Sequence, residues 1–416
     1  MSATAYARGI VAPAPRYRWV ILFVCWLTFL ISFVDRLTWA NVAVSVGGSL
    51  GLPVAALGVF VTAFYAGYVI CNVAGGFASD RIGGRLTLSA SMLALGLCTF
   101  LFGFTTSVAM GLIIQALMGL CAGADYAACI KLIVAWFDRG SRGKAMGLFL
   151  IASSLGLATT NALVPTLAAA FGWRGVYQVL GAVTLGVGVV ACLMLRDRPP
   201  ANAAEAAVAP AATVGPSLLP LLRNPSMILL TLAGFGGFWG TWGFAFWANA
   251  LMIRGHGLSP VEAGFVVSIV GAAAIAGKPA FGWLSDRLGN RPKWLVVGCF
   301  ALFTVMLVVF GTLQDRLSFQ LAAPLLGLGA FVYSPLLAVL VAEVSGPERA
   351  GSMTGLTAGF WQLGSVIVPL AVGAVFQQTG SFLGAFLVLA AGPFFGALCM
   401  LFVPEPGVIR RADVSG

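Results

Sequence analysis

Charged side chains are scarce in this chain. Asp, Glu, Lys and Arg together make up 9% of its 416 residues, against roughly a quarter in an ordinary soluble domain. Hydrophobic residues make up 60%, and the mean hydropathy is +0.99. The single histidine, His256, is expected in a short solvated loop. This composition leaves little room for a soluble protein and favours a chain that lies in the lipid bilayer.

Several elements of enzyme chemistry are missing as well. No glycine-rich loop is followed by Lys-Ser/Thr, so we expect no ATP site. No paired set of histidines and carboxylates suggests a metal, and the eight cysteines show no Cys-x-x-Cys spacing. The cysteines all fall within apolar runs, where they are typical of small buried hydrophobic residues. We therefore predict no cofactor and no enzymatic activity.

Long apolar runs, by contrast, are abundant. Crossing a bilayer takes about 20 apolar residues, and a helix satisfies the backbone hydrogen bonds within the segment. Runs of this length occur twelve times, at 18–46, 54–79, 86–105, 108–135, 144–169, 174–195, 225–252, 260–284, 293–313, 318–343, 350–375 and 380–403. The first run is too long for a cleavable signal and lacks a small-residue cleavage site. The sequence thus predicts twelve transmembrane helices.

The few charges are unevenly distributed between the runs. If the N-terminus is cytoplasmic, seventeen Lys and Arg residues lie in inner segments and three lie in outer loops. This asymmetry follows the positive-inside rule. We therefore predict a multi-pass protein of the bacterial inner membrane with both termini in the cytoplasm. The net charge of +10 then reflects topology and attraction to membrane lipid, not binding of nucleic acid.

The two halves of the chain repeat one motif. Gly-Gly-Phe-Ala-Ser-Asp-Arg-Ile-Gly-Gly-Arg at 75–85 follows the second run, and Phe-Gly-Trp-Leu-Ser-Asp-Arg-Leu-Gly-Asn-Arg at 281–291 follows the eighth. Asp80 and Asp286 are 206 residues apart, about half the chain. Because each half has an even number of runs, both halves have the same orientation, which makes this a parallel repeat. The Ala- and Pro-rich stretch 199–220 reads as a flexible linker.

These features predict an all-α membrane protein of two six-helix bundles related by a parallel pseudo-repeat. Each bundle begins and ends in the cytoplasm. The predicted divisions are a cytoplasmic N-terminal tail (1–17), an N-terminal bundle (18–195), a cytoplasmic linker (196–224), a C-terminal bundle (225–403) and a cytoplasmic C-terminal tail (404–416).

The doubled loop resembles a known family. Its pattern Gly-x-x-Ser-Asp-Arg-x-Gly-x-Arg is similar to the loops of the major facilitator superfamily, and the resemblance covers essentially the whole chain. It implies the major facilitator fold, in which two bundles rock around a central cavity, usually in a monomer. The resemblance also implies a cytoplasmic gate, here formed by Gly76, Asp80, Arg81, Gly83, Arg85, Asp286, Arg287 and Arg291. The alternative is a static loop that only fixes topology.

Shorter segments resemble one group of that family, the anion:cation symporters. Phe-Val-Asp-Arg-Leu-Thr-Trp-Ala-Asn-Val-Ala at 33–43 is similar to a segment of that group, which carries sugar acids and other organic carboxylates with protons or sodium. Tyr68 and Asn72 match its second-helix pattern, with Asn in place of Gln. Lys131 begins a similar Lys-x-x-x-x-Trp-Phe segment. The fourth-helix Glu of the group is missing, and Asp125, three residues beyond its position, offers a carboxylate on the same helical face.

Five charged residues lie inside the predicted helices: Asp35, Arg36, Asp125, Lys131 and Lys278. A charge at the bilayer centre costs ~2.5–3.5 kcal/mol, so such residues usually face a bundle interior or a watery cavity. Three cations against two acids leave a positive surplus that a bound carboxylate would relieve. Arg36 is the natural anchor because its planar fork accepts a carboxylate with two hydrogen bonds. The alternatives are a structural ion pair for Arg36, snorkelling to the interface for Lys131, and helix packing for Lys278.

The two acids suggest how transport is driven. An anion bound at Arg36 would change the proton affinity of a nearby carboxylate, and such reciprocity is what coupling requires. We therefore predict proton-coupled symport with Asp35 and Asp125 as proton carriers. The alternative is that the charged groups serve only as counter-ions to one another.

Aromatic and amide residues would shape the pocket. By the repeat offset Trp242 lies opposite Arg36, which suggests an apolar wall for the substrate; packing or an interfacial belt is the alternative. The predicted substrate site consists of Arg36, Lys131, Lys278, Tyr68, Asn72, Trp39, Trp242, Trp361 and Gln362. The glycine pair Gly119 and Gly123 indicates a close helix contact.

The sequence therefore predicts a secondary transporter of a small organic carboxylate that works by alternating access, with protons as the coupling ion. An organic anion exchanger is one alternative. A drug/proton antiporter on the same fold is another, although the fifth run lacks the Gly-Pro-x-x-Gly-Gly that marks such antiporters. A membrane enzyme or receptor is the remaining class, and the doubled loop favours transport over both.

Overall fold

The computed structural model describes residues 16–137, 139–197, 223–287, 292–345 and 350–404. The helices are α1 (Tyr17–Leu50), α2 (Val54–Ile82), α3 (Gly84–Phe102), α4 (Val108–Ala122), α5 (Asp125–Trp136), α6 (Arg139–Met194), α7 (Pro225–His256), α8 (Pro260–Arg287), α9 (Pro292–Thr312), α10 (Arg316–Ser345), α11 (Ala350–Thr379) and α12 (Phe382–Phe402). The described residues include no strand, as expected where each segment must satisfy its own backbone hydrogen bonds in lipid.

Twelve spans follow from these helices. α4 and α5 together form the fourth span, because Val108–Trp136 is one apolar stretch of 29 residues. α6 is too long for one span, since 56 helical residues would measure about 84 Å against about 30 Å of hydrocarbon. Gly172, with φ 68°, breaks α6 into the fifth and sixth spans, a conformation that glycine adopts readily. The predicted all-α fold with twelve transmembrane helices is confirmed.

The two halves of the chain touch along three helix pairs, α1 with α7, α2 with α11, and α6 with α8. Glycines bring these backbones close together. A Cβ atom on Gly58 of α2 would lie 2.4 Å from the carbonyl oxygen of Pro369 in α11. One on Gly264 of α8 would lie 2.4 Å from the carbonyl oxygen of Asn161 in α6. Both contacts are near the ends of α2 and α8 where these helices begin, and we call this side the closed end of the molecule.

Three buried asparagines, Asn41, Asn161 and Asn249, form a hydrogen-bonded cluster that joins the halves. The amide nitrogen of Asn249 donates to Oδ1 of Asn41 at 3.0 Å and to Oδ1 of Asn161 at 2.8 Å. The amide nitrogens of those two partners donate in turn to carbonyls one helical turn back, those of Leu37 and Leu157. This asparagine cluster ties α1 and α6 of the first half to α7 of the second.

We predict that Asn249→Ala weakens the closed end. The change removes two buried hydrogen bonds, so the free energy of unfolding should fall by about 1–3 kcal/mol. The measurement is the melting temperature of the purified protein in detergent. Thr62→Val is the control, because Thr62 makes one hydrogen bond between the halves, to the carbonyl of Val366 at 2.9 Å, and its loss should cost less. An Asn249→Ala protein as stable as wild type would contradict this role of the cluster.

The predicted domain boundaries stay predictions, because the tails 1–17 and 404–416 and the linker 196–224 lie almost wholly outside the described residues. Described helices end at Met194 before the linker and resume at Pro225 after it. The segments at 288–291 and 346–349, between α8 and α9 and between α10 and α11, also lie outside the described residues.

Candidate functional site

A cavity of about 730 Å³ lies between the two halves. Its lining includes eight residues of the predicted substrate site: Arg36, Tyr68, Asn72, Lys131, Trp242, Lys278, Trp361 and Gln362. The lining extends to Val134, near the end of α5, and to Gly355, near the start of α11. The cavity therefore reaches the end of the molecule opposite the closed end, the end that the sequence predicts to face the cytoplasm.

Arg36 lies near the middle of α1 and is 4% exposed. Its guanidinium carbon is 4.3 Å from the centre of the Tyr68 ring, 4.6 Å from that of Phe33 and 5.9 Å from that of Trp242. Aromatic faces stabilise a desolvated cation by about 2 kcal/mol. Within the described part of the chain, Nε and Nη2 of Arg36 have no hydrogen-bond partner. Arg36 thus brings a buried positive charge to the cavity wall, with two guanidinium nitrogens that lack partners in the described structure, and such a charge suits a carboxylate.

Asp35 does not share the cavity with Arg36. Consecutive residues of a helix point about 100° apart. Asp35 is directed into the first half, where its Oδ2 accepts a hydrogen bond from Thr184 at 2.8 Å. The residue is 2% exposed, and its Oδ1 has no partner among the described residues. In the structure Arg36 therefore faces the cavity, whereas Asp35 lies behind α1.

Asp125 is the first residue of α5 and is fully buried. Its Oδ2 accepts a hydrogen bond of 2.5 Å from Ser32 of α1, and its Oδ1 has no partner in the part of the chain that the structure describes. Asp125 interacts electrostatically with Arg36 across the space between α5 and α1. The ionisation of Asp125 and the occupancy of Arg36 are therefore able to influence each other.

Two lysines complete the charged lining of the cavity. Lys131 in α5 donates through Nζ to the carbonyl of Ser79 in α2, three residues before that helix ends at Ile82. Lys278 in α8 has its Nζ 3.4 Å from Oγ of Ser153 in α6. The described cavity lining contains three cations and no acid. Asp35 and Asp125 are not part of that lining. The positive charge that faces the cavity is therefore larger than the count of three cations against two acids suggests.

Aromatic rings form the apolar side of the cavity. The ring of Trp242 lies 6.0 Å from that of Phe33 across the two halves, and 6.0 Å from that of Phe246 in its own helix. Trp361 is 3% exposed, and its Nε1 has no partner among the residues described. This nitrogen packs against Gly234 of α7, where a Cβ atom would lie 2.0 Å from it, so Trp361 lines the cavity with its ring.

Trp39, predicted as a substrate contact, lies away from the cavity. Its ring stacks on Phe60 at 4.5 Å and meets Phe102 edge-on at 6.1 Å. Trp239, which shares a helix with Trp242, donates its Nε1 to the carbonyl of Val388 in α12. The structure thus gives Trp39 a packing role within the first half in place of the predicted contact with substrate.

The loop between α2 and α3 is anchored within the first half. Gly83 has φ 91°, and a Cβ there would lie 2.8 Å from Oδ2 of Asp197, beyond the sixth span. Arg85 donates its backbone N–H to Oδ1 of Asp197 at 2.8 Å, and its Nη2 donates to the carbonyl of Cys192 at 2.8 Å. Asp197 was not among the functional residues predicted from the sequence. The feature that could have indicated it is the charged segment Arg-Asp-Arg at 196–198, directly after the sixth apolar run.

Other parts of the predicted gate are described only in part. Arg81 is exposed, and the guanidinium of Arg287 lies 3.9 Å from the centre of the Trp283 ring. The structure does not describe the surroundings of Gly76, the side chains of Asp80 and Asp286, or any part of Arg291. The gate therefore stays a prediction.

The family model of the Major Facilitator Superfamily matches residues 24–369. The chain therefore belongs to the major facilitator superfamily, and it is a membrane transporter, not an enzyme. The assignment made from the doubled loop is confirmed, and so is the integral membrane character of the chain.

Two relatives and one solved structure extend this result. The chain is 30% identical over 401 residues to the membrane sensor protein UhpC of Salmonella typhimurium, covering 91% of this chain and 90% of that protein. It is 26% identical over 424 residues to the probable galactarate/D-glucarate transporter GudP of Bacillus subtilis, and the match covers 94% of this chain and 92% of that protein. A bacterial homolog of the human lysosomal transporter Spinster, inward-facing and occupied, matches with a TM-score of 0.78 at 15% identity over 94% of this chain and 97% of that one. The relatives agree with the resemblance to the anion:cation symporter group, and the solved structure shows the fold alone.

Proposed function

We propose that this protein transports a small organic anion. The observation that carries the proposal is Arg36, a buried cation whose Nε and Nη2 lack partners in the described structure, at a cavity whose described lining holds no acid. Burial of an unpaired cation is unfavourable, and a bound carboxylate relieves that cost through charge-assisted hydrogen bonds. The name of the relative GudP, a probable transporter of galactarate and D-glucarate, supports an organic anion as substrate.

Transport proceeds, in this proposal, by alternating access across the inner membrane. The cavity reaches one end of the molecule, while the asparagine cluster and the close helix contacts join the halves at the other. Release of the anion on the opposite side of the membrane requires the helices at the closed end to separate and those at the cavity end to come together. Rocking of the two halves about the cavity would accomplish both movements, and it leaves the lining residues of each half in place.

The melting temperature of the purified protein with a panel of ligands tests the proposal. The panel contains monocarboxylates, dicarboxylates, sugar acids, aromatic acids and lipophilic cations. A ligand at 100 times its dissociation constant stabilises the folded state by ~2.7 kcal/mol, which raises the melting temperature measurably. We expect carboxylates to stabilise the protein. Stabilisation by lipophilic cations alone would favour the drug/proton antiporter in place of our proposal.

Protons drive the transport in this proposal, with Asp125 and Asp35 as the carriers. Asp125 interacts with Arg36, so an anion that neutralises Arg36 favours a proton on Asp125, and the proton favours the anion in return. Asp35 lies on the other side of α1 beside Thr184. Its protonation would act through the packing of α1 against the sixth span, not through direct contact with the substrate.

We expect Asp125→Asn to separate accumulation from exchange. In proteoliposomes with an imposed pH gradient, accumulation of the anion should fall by about tenfold or more. Typical coupling free energies of about 1–3 kcal/mol correspond to changes of this size. Exchange of labelled for unlabelled anion should persist, because Arg36 is intact, and Asp35→Asn should give the same separation. Asp315→Asn is the control, since Asp315 is exposed and its carboxylate accepts hydrogen bonds from Ser318 of its own turn. Undiminished accumulation in both Asp125→Asn and Asp35→Asn would contradict proton carriage by these acids.

A sensor that binds the anion without moving it is a second candidate. The relative UhpC, 30% identical, is named a membrane sensor protein, and this favours the candidate. Both candidates predict stabilisation by carboxylates. Proteoliposomes separate them, because a sensor would show neither accumulation nor exchange of an anion that it binds. Exchange in wild type without any response to a pH gradient would instead favour an organic anion exchanger.

A further inference from the structure

We infer that the site takes an organic dianion, and that Lys278 anchors its second acidic group. The inference rests on the proposed function, in which Arg36 holds the first acidic group. It is carried by a small side pocket of the cavity that surrounds Lys278. Nothing in the role of Arg36 requires this second anchor, so the two proposals are tested separately.

The side pocket has a volume of about 90 Å³ and adjoins the main cavity. Both are lined by a common set of residues: Phe33, Ser153, Phe238, Trp242, Lys278 and Ser334. Thr241 and Tyr333 line the side pocket beyond that common set, and their hydroxyls are 3.1 Å apart. The side pocket therefore combines one ammonium group with several hydroxyl groups and is walled by aromatic rings.

Lys278 has little in the protein to hold its charge. Its Nζ lies 3.4 Å from Oγ of Ser153, near the limit of a hydrogen bond, and it forms no ion pair with any described residue. An ammonium group has three donors, so donors remain for a ligand. Lys293, by comparison, is a buried lysine outside the cavity whose Nζ donates to the carbonyl of Leu401 at 3.2 Å. Lys278 thus resembles Arg36 as a cavity cation that forms no ion pair with a described acid.

The volume of the side pocket fits a compact acidic group. About 10–15 Å³ of such cavity volume suffices for one water molecule, so a pocket of about 90 Å³ has room for a compact acidic group such as a carboxylate or a sulfonate. The carbon body of the ligand would remain in the main cavity. There it would rest on the rings of Phe33 and Trp242, which lie 4.6 and 5.9 Å from the Arg36 guanidinium and also line the side pocket.

The two cations belong to different halves of the protein. Arg36 is on α1 of the first half, and Lys278 is on α8 of the second. A dianion would therefore contact both halves through charged groups, whereas a monoanion engages one cation and leaves the other unpaired. Because an unpaired buried charge is costly, we expect the site to prefer the dianion.

A matched pair of ligands tests the inference: galactarate, with two carboxylates, and galactonate, with one. We would measure the dissociation constants of both at constant ionic strength for the wild type and for Lys278→Gln, which keeps a donor for Ser153 and loses the charge. Wild type should bind the diacid about tenfold more tightly or better, the effect of one charge-assisted contact. Lys278→Gln should lose this preference, and its affinity for the diacid should fall much more than its affinity for the monoacid.

Three further variants make the result decisive. Lys278→Arg keeps the charge and should keep the preference, and Lys278→Met replaces the Gln variant if that one fails to fold. Lys293→Gln controls for the loss of a buried lysine elsewhere and should keep the preference too. Two results for Lys278→Gln overturn the inference: the variant still prefers the diacid, or it loses affinity for both acids equally. A wild-type protein that does not prefer the diacid overturns the inference as well. Those results leave the proposed function intact if galactonate binding depends on Arg36. Binding of neither acid by wild type would instead overturn the proposed function.

Discussion

Replacing Arg36 with alanine should lower the affinity for the anionic substrate by at least about 100-fold and abolish its transport. The guanidinium brings two N–H donors that lack partners in the described structure, together with the positive charge at the wall of the cavity. Hydrogen bonds to a charged group are worth about 1.5–3 kcal/mol each, so the loss of two corresponds to about 3–6 kcal/mol. Binding is measured by calorimetry in detergent, and transport is measured by uptake into proteoliposomes.

Arg36→Lys is the matched variant for this prediction. It retains the charge but not the planar fork, so we expect an affinity between that of wild type and that of Arg36→Ala. The melting temperature of Arg36→Ala without ligand should stay close to that of wild type, because relief of the desolvation cost of a buried cation offsets the lost electrostatic interaction with Asp125. Wild-type affinity for carboxylates in a folded Arg36→Ala protein would show that the anion binds elsewhere.

Replacing Gly119 with alanine should destabilise the whole first half. A Cβ atom on Gly119 of α4 would lie 1.8 Å from the carbonyl oxygen of Phe64 and 2.9 Å from the backbone nitrogen of Tyr68, both in α2. Neither backbone atom is able to move without separating the two helices. We expect a loss of about 3 kcal/mol or more in the free energy of unfolding, the upper part of the range for overpacked sites. The yield of monodisperse protein and its melting temperature are the measurements.

Gly186→Ala provides the control for Gly119→Ala. Gly186 is also helical, in the sixth span, and nothing lies within 4 Å of a Cβ placed on it. Alanine should therefore be tolerated there or stabilise the helix by up to about 1 kcal/mol. Because α2 also carries Tyr68, any Gly119→Ala protein that folds should bind carboxylates more weakly than wild type. Equal stability of the two alanine variants would contradict the close contact between α2 and α4.

The cations of the cavity were predictable from sequence because hydrocarbon makes every buried charge conspicuous. Arg36, Lys131 and Lys278 interrupt apolar runs, and all three line the cavity. The direction of Asp35 was not predictable in the same way. Its partner Thr184 is 149 residues away in another span, and a helix that is apolar on all sides has no polar face to reveal its rotation. Trp39 was misplaced for the same reason, since its partner Phe60 lies on α2.

The fold was predictable because its signals are local. Run length gives the number of spans, and the doubled loop gives the repeat and the family. The anchoring of that loop depends instead on Asp197, which reaches Gly83 and Arg85 from beyond the sixth span. The side pocket of Lys278 likewise needs residues from α1, α6, α7, α8 and α10 at once, a combination that no single stretch of sequence contains.

The asparagine cluster has a consequence for how the protein meets its surroundings. Amide groups neither titrate nor attract counter-ions, so the seal that they form has the same strength at any acidity or salinity of the adjoining fluid. In the predicted orientation that fluid is the external medium, whose composition the cell does not control. In that orientation the repeated loops lie on the opposite side, next to the cytoplasm, which the cell buffers. Charge-based control by the predicted gate would then act in the regulated compartment, whereas the asparagine cluster joins the two halves at the outer face through groups that do not titrate.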